Sequence, residues 1–249
     1  MTLLGSGCAL PDPERGSPGI AVSVDDWLLF LDCGAGSLHR GARFGVPVDR
    51  VDGVLLSHLH PDHTGDLVPL LFALRNPETV RCKDLTLAGP EGIRPFLHAL
   101  KRGYGEWIQP RGYGLAIRSL AGPETLFLGP CRIRTFPVPH GPPAMAYEIT
   151  AQDGRRLVYS GDTEYSASLA AFARGADLLI LECSFPEGQE RPGHLTPSAA
   201  GRMAHEAGCR KLLLTHFYPA CRGEDLLTPC RDRYKGPVLL GEDGMRTSV

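Results

Sequence analysis

Ten consecutive residues constrain this chain more than any others: Ser57-His58-Leu59-His60-Pro61-Asp62-His63-Thr64-Gly65-Asp66. The apolar run Val54-Leu55-Leu56 before them reads as a short buried strand. After them, Leu67, Leu70, Leu71 and Leu74 recur at i, i+3, i+4 and i+7, one face of a helix that Thr64 can cap. Three imidazoles and a carboxylate are thus held in a strand-to-helix turn, where close neighbours can point at one centre. Neither a strand nor a helix allows that at this spacing. Neutral imidazole and carboxylate suit Zn, Mn or Fe rather than soft Cu(I). A polar, His-rich surface loop is the bland alternative; four ligand-type residues in six positions against a buried strand argue for metal.

At 249 residues and 43% hydrophobic, the chain can bury one substantial core, and a single domain over residues 1–249 is expected. It shows no N-terminal basic-then-apolar leader, and no apolar stretch approaches the roughly 18 residues a membrane span requires. A cytoplasmic protein with no membrane partner is the expectation. The eight cysteines are scattered with no CxxC pair, several inside apolar or Gly-rich runs, so reduced structural thiols are expected. The net charge of −2, with both signs interspersed, shows no basic face or tail for a long polyanion and fits small or short anionic substrates better.

The chain opens with a strand, Thr2-Leu3-Leu4, ending in Gly5-Ser6-Gly7, and a long loop through Gly19. Ile20–Val24 and Trp27–Leu31 read as a hairpin around Asp25-Asp26, followed by Asp32-Cys33-Gly34. The Gly-rich turn lacks the Lys and Ser/Thr of a P-loop, which argues against a nucleoside-triphosphate site. Beyond the metal turn, Leu85–Pro90 is a strand. A helix from Glu91 to Arg102 carries Ile93, Phe96, Leu97 and Leu100 inward, leaving His98, like His39, in solvent. Gly103 to Gly114 is irregular and aromatic-rich; plain packing is the preferred reading over a loop covering a cleft. Strands follow at 132–138, 145–150, 157–160, 178–181 and 211–217. Thr196 and Pro197 start a helix that Gly208 stops, with His205 outward.

Strand ends therefore deliver His58 with His60, then His140, Asp162 and His216, and ends on one edge of a sheet sandwich converge. Tight thiolate coordination is absent from this set, which argues against a purely structural zinc.

His58-x-His60-x-Asp62-His63 resembles the signature of the metallo-β-lactamase superfamily. The resemblance implies an α/β fold, a four-layer αββα sandwich, with a dinuclear site at the edge of two facing sheets. It places His58, His60 and His140 on one ion and Asp62, His63 and His216 on the other, with Asp162 bridging. Two Zn2+ are expected, with Mn2+ or Fe as alternatives. Two such ions about 3.5–4 Å apart activate a shared water and clamp both oxygens of an in-line displacement.

The Gly-rich opening, Asp32-Cys33-Gly34, Gly161-Asp162-Thr163, Glu182 to Thr196 and Leu214-Thr215-His216-Phe217 resemble the ribonuclease-Z-like branch. There, a histidine in the position of His194, oriented by a glutamate in that of Glu182, protonates the departing oxygen. Two departures stand out. The long tRNA-holding arm has no room before the strand at 132–138, and Tyr218-Pro219-Ala220 replaces a polar stretch ending in Arg-Tyr. The expected function is a dinuclear-zinc phosphodiesterase acting on a small phosphodiester, such as a cyclic nucleotide, or on short RNA 3′ ends. A metal-bridging hydroxide is the expected nucleophile, Asp62 its orienting group and His194 the general acid. The alternatives are a tRNA 3′-processing endoribonuclease, a thioester or lactam hydrolase of the same fold, and a non-catalytic metal-binding module. Relatives of this kind are often dimers, so a homodimer is allowed.

Overall fold

The computed structural model describes residues 1–79 and 81–249. Two sheets face each other. The first contains β1 (Thr2–Gly5), β2 (Gly19–Val24), β3 (Trp27–Cys33), β4 (Gly53–Leu55), β5 (Leu85–Pro90) and β6 (Leu115–Leu120), in that spatial order. β1 to β3 pair antiparallel and β3 to β6 parallel. The second sheet runs from β7 (Thr125–Leu128) through β8 (Cys131–Pro137), β9 (Met145–Thr150), β10 (Arg156–Tyr159), β11 (Leu178–Glu182) and β12 (Leu212–Thr215) to β13 (Val238–Leu240). It repeats the plan: antiparallel up to β10, parallel from β10 to β13.

The central strands are buried on both faces, as strands covered by helices outside and by a second sheet inside must be. In β3, Leu29 and Leu31 point into the core between the sheets, while Leu28 and Phe30 point outward. The outer face of the first sheet is covered by α1 (Ser37–Arg43), by Leu67, Leu70, Leu71 and Leu74 of α3 (Leu67–Leu74), and by Ile93 and Leu97 of α4 (Ile93–Tyr104). Between α1 and α3, the short α2 (Pro61–Thr64) is made by the metal turn itself. The second sheet is covered by α5 (Ala167–Phe172), α6 (Pro197–Ala207) and α7 (Leu227–Arg233). The result is the expected four-layer αββα sandwich. Seven of the eight cysteines are buried and form no disulfide. No helix among the described residues is long and apolar enough to cross a membrane.

Two local expectations are corrected. Thr64 does not cap α3. Pro61, with its preset φ, starts α2 directly after His60, so Thr64 closes that turn and its hydroxyl donates to the His60 carbonyl at 3.0 Å. Asp66 takes the position before α3, and its carboxylate accepts from the Leu38 amide at 2.9 Å rather than capping α3. The aromatic segment around the end of α4 packs only in part, through Ile108 and Tyr113. A 3-10 turn at Gly105–Ile108 buries Ile108 but leaves Tyr104 and Trp107 exposed, Trp107 at 60%. With Phe72, Leu59 and Val68 they line an apolar groove of about 840 Å³ on the outer side of the metal turn.

Candidate metal centre

The predicted ligands meet at the open edge between the sheets, carried there by strand ends. β4 leads through Leu56 and Ser57 into the motif. Gly34, after β3, lies against it so closely that a Cβ there would stand 2.0 Å from the Asp62 carbonyl oxygen. β10 leads to Gly161, whose φ of +60° turns the chain so that Asp162 enters the cleft. His140 follows β8 by a short loop, and His216 follows β12.

Two non-glycine residues at the site also hold left-handed backbone conformations, Asp32 (φ 58°) and His216 (φ 61°). Such strain persists only where the surroundings over-determine it, and it clusters at functional sites. Its effect here is visible in strand parity. Strict alternation in β3 would send Asp32 outward with Phe30. Instead its carboxylate lies inward against Tyr159, and Cys33 joins the outer layer. Along β12, Leu213 faces inward and Leu214 outward, so alternation would send His216 out; it enters the cleft and Phe217 joins the outer layer.

The donors gather in two groups that share an edge: His58, His60, His140 and Asp162, and Asp62, His63 and His216. His58 Nε2 and His140 Nε2 lie 2.9 and 3.4 Å from His60 Nδ1, and His63 Nε2 lies 3.3 Å from His216 Nε2. Asp162 stands between the groups. Its Oδ1 is 3.3 Å from His63 Nε2, and its Oδ2 is 3.7 Å from His140 Nε2 and 3.4 Å from His216 Nε2. Asp62 Oδ2 is 3.5 Å from His216 Nε2. A further grouping brings a nitrogen of His194 to Asp162 and His216.

The outward-facing nitrogens decide what the inward ones are. His63 Nδ1 donates to Asp32 Oδ2 at 2.8 Å, and His140 Nδ1 donates to the Gly193 carbonyl at 2.9 Å. Ser57 Oγ donates to Asp32 at 2.8 Å, so it accepts from His58 Nδ1 at 3.0 Å. Ser184 Oγ donates to Glu182 and accepts from His216 Nδ1 at 2.9 Å. With their protons placed outward, these imidazoles in their neutral form turn lone pairs toward one another and toward a carboxylate. Asp162 Oδ1 is buried without a hydrogen bond. Mutually facing lone pairs and an orphaned carboxylate oxygen fit a pair of divalent cations.

The electrostatics agree. Burial, reinforced by neighbouring imidazoles, pushes His58 and His60 below the ordinary histidine range and so keeps them neutral. Burial opposes charge on His63 as well, but Asp162 and Asp32 outweigh it and raise that histidine. Asp162 is held well below the usual carboxylate range: burial disfavours its charge, and His216 and His63 override it. Positive charge is favoured beside Asp162 and Asp32 and disfavoured on the imidazoles of His58 and His60.

A model of the beta-lactamase superfamily domain matches residues 27–217. The chain belongs to the metallo-β-lactamase superfamily. It is 31% identical to YhfI of Bacillus subtilis, a probable metallo-hydrolase, over 98% of this chain and 97% of that one. The YhfI crystal structure superposes with a TM-score of 0.84, covering 98% of this chain and 96% of the other. A ribonuclease Z of Myxococcus xanthus is 30% identical over all of this chain and 97% of its own, in an alignment of 305 positions. The fold of the short form of human tRNase Z matches with a TM-score of 0.82 at 23% identity, covering 100% and 98% of the two chains. Within the superfamily the chain is a metallo-hydrolase of the ribonuclease-Z-like branch.

On the rim of this superfamily cleft, His194 Nδ1 lies 2.9 Å from Glu182 Oε1, and the His194 ring is 5.2 Å from that of His140. Burial lowers the affinity of His194 for a proton, but Glu182, with Asp162 and Asp62, more than restores it and leaves this histidine raised. Glu182 is buried and is held by the amides of Thr163 (2.8 Å) and Leu195 (3.1 Å). The sequence reading had no roles for Asp32, Ser57, Tyr159 and Ser184. Asp32 alone had a signal, its place in Asp-Cys-Gly at a strand end.

Proposed function

We propose that the chain is a metal-dependent phosphodiesterase acting on small phosphodiesters, cyclic nucleotides among them. The observation that carries this is a histidine outside both donor groups, fixed by a buried glutamate at the edge of the cleft. A thiolate leaves a thioester without a proton, whereas an alkoxide leaving a phosphodiester needs one.

The two donor groups would each hold one divalent cation, zinc by their chemistry, with Asp162 between them. When bound, the pair lowers the pKa of water toward neutrality and offsets charge on phosphoryl oxygens. Asp62, at the inner end of α2, accepts a hydrogen bond from the attacking water and sets its direction. Glu182 holds His194 through Nδ1, so Nε2 is left to give its proton to the leaving oxygen. Asp32 and Ser57 fix the tautomers of His63 and His58.

A small substrate is favoured by the connection between α4 and β6, which is only a 3-10 turn and a short loop ending at Gly114. It is favoured too by alignment length, 305 positions with the ribonuclease Z but 255 with YhfI, against a chain of 249 residues. The second reading, tRNA 3′ processing, draws on the ribonuclease Z identity. The test is hydrolysis by zinc- or manganese-loaded protein of cyclic nucleotides, bis(p-nitrophenyl) phosphate and a pre-tRNA. Turnover of the small diesters is expected. Pre-tRNA cleavage at comparable kcat/KM would overturn the preference, and two bound metals with no turnover would overturn the reaction.

A further inference from the structure

We propose that Tyr218, stacked on Phe185, is the platform on which the base of a nucleotide substrate rests. The inference rests on the phosphodiesterase reading and names the substrate class of that site.

The platform begins with the turn after β12. His216 enters the cleft, Phe217 goes to the outer layer, and Tyr218 returns to the cleft side. Pro219 opens a 3-10 turn, Pro219–Cys221, and the Tyr218 amide donates to the Ser184 carbonyl at 3.2 Å. That bond ties the segment to the strand end that carries Phe185. The two rings stack with centroids 4.8 Å apart and planes 24° apart. The Tyr218 centroid lies 5.8 Å from the rings of both His194 and His216. The Arg191 guanidinium sits 5.6 Å from the Phe185 ring. An aromatic surface therefore continues directly from the proton donor and one candidate ligand.

Packing alone accounts poorly for this pair. The buried Tyr147, Tyr159 and Tyr234 each donate their hydroxyl, to the Leu56 carbonyl, Asp32 and the Cys209 carbonyl. Tyr218 and Phe185 are only half-buried, and the Tyr218 hydroxyl makes no hydrogen bond among the described residues. A phosphodiester whose phosphorus sits at the donor cluster carries its base one sugar away, across His194. A fixed tyrosine offers that base a flat apolar face and loses little freedom in doing so. Every base has such a face, so the platform prefers bases over no base while discriminating weakly among them.

The test is titration calorimetry of the zinc-loaded protein with adenosine 5′-monophosphate and with ribose 5-phosphate, which share sugar and phosphate. The nucleotide is expected to bind about tenfold tighter. Tyr218→Ala should abolish most of that preference. Tyr218→Leu, which keeps apolar bulk should the alanine variant fail to fold, should do the same, and Tyr218→Phe should retain it. Equal affinities in the unmodified protein, no measurable binding of either compound, or an unchanged preference in the Ala and Leu variants would overturn the platform. Failure of the two ideas can be told apart. Phosphodiester turnover with no preference for the base sinks the platform alone. A Tyr218-dependent preference without turnover leaves the platform standing and sinks the reaction.

Discussion

Asp32 and Glu182 occupy matching places in the two halves of the molecule. Each closes a central strand, β3 in one sheet and β11 in the other, and each is buried. Each also gathers at least one backbone amide, one serine hydroxyl and one histidine Nδ1. Asp32 accepts from the Ser57 amide (2.7 Å), Ser57 Oγ, Tyr159 and His63; Glu182 accepts from the amides of Thr163 and Leu195, from Ser184 Oγ and from His194. The difference is in what the histidine does next. His63 is fully buried among the donor cluster, whereas the His194 side chain is 14% exposed at the edge of the cleft. One support, built twice, fixes a histidine of the donor cluster in the first sheet and a histidine of the cleft rim in the second; under the proposed reaction these would be a cation ligand and the proton donor.

That division of labour predicts unequal losses. The largest is expected for His194→Ala, about 10²- to 10⁴-fold in kcat on a nucleotide diester, with metal content unchanged. On bis(p-nitrophenyl) phosphate the loss should be far smaller, because p-nitrophenolate departs without a proton. Equal losses on both substrates would remove His194 from the role of acid. Next comes Asp32→Asn, which takes the carboxylate charge from His63. Metal affinity, followed by chelator competition, should fall about 10- to 100-fold. Glu182→Gln should hold its metals more tightly than Asp32→Asn does and lose mainly kcat. If both variants lost metal equally, the contrast between the two carboxylates would collapse.

Glu182 was legible through the family resemblance of residues 182–196, and Asp32 only through its place in Asp-Cys-Gly; the backbone favours the first and hides the second. Leu178 and Ile180 face the inner core and Leu179 and Leu181 the outer layer, so plain alternation sends Glu182 inward. The same rule applied to β3 sends Asp32 outward, and only its positive φ reverses that. A period-2 pattern cannot encode a left-handed residue unless that residue is glycine. His216 uses the same reversal, yet its residue type at a strand end announces a ligand. Asp32 carried no comparable chemical mark. Ser57 and Ser184 stayed silent for another reason: their function is to pass a hydrogen bond between two distant side chains, a relation no local pattern holds. The central strands were readable because both their faces are apolar and Gly or Pro marks their ends, whereas the sequence reading missed the edge strands β6, β7 and β13, and the four layers followed from the family resemblance. The exposed aromatics Tyr104 and Trp107 misled because their type suggests burial.

The smallest expected effects test whether the supports differ in reach. Tyr159→Phe removes one donor from Asp32 and leaves Ser57 and His63 in place. It should cost about 0.5–1.5 kcal/mol of stability, seen as a lower urea midpoint at unchanged slope, with little change in metal affinity. Ser184→Ala removes one donor from Glu182, but Ser184 Oγ also accepts from His216 Nδ1 and lies 3.1 Å from His194 Nδ1. Its loss should therefore lower both metal affinity and kcat, by about threefold to tenfold each, for a comparable stability cost. The Ser184 hydroxyl joins Glu182 to the Nδ1 atoms of both His216 and His194, whereas the Tyr159 hydroxyl, among the described residues, reaches only Asp32 and Ser57. Identical phenotypes for the two variants would mean that the supports act by packing alone.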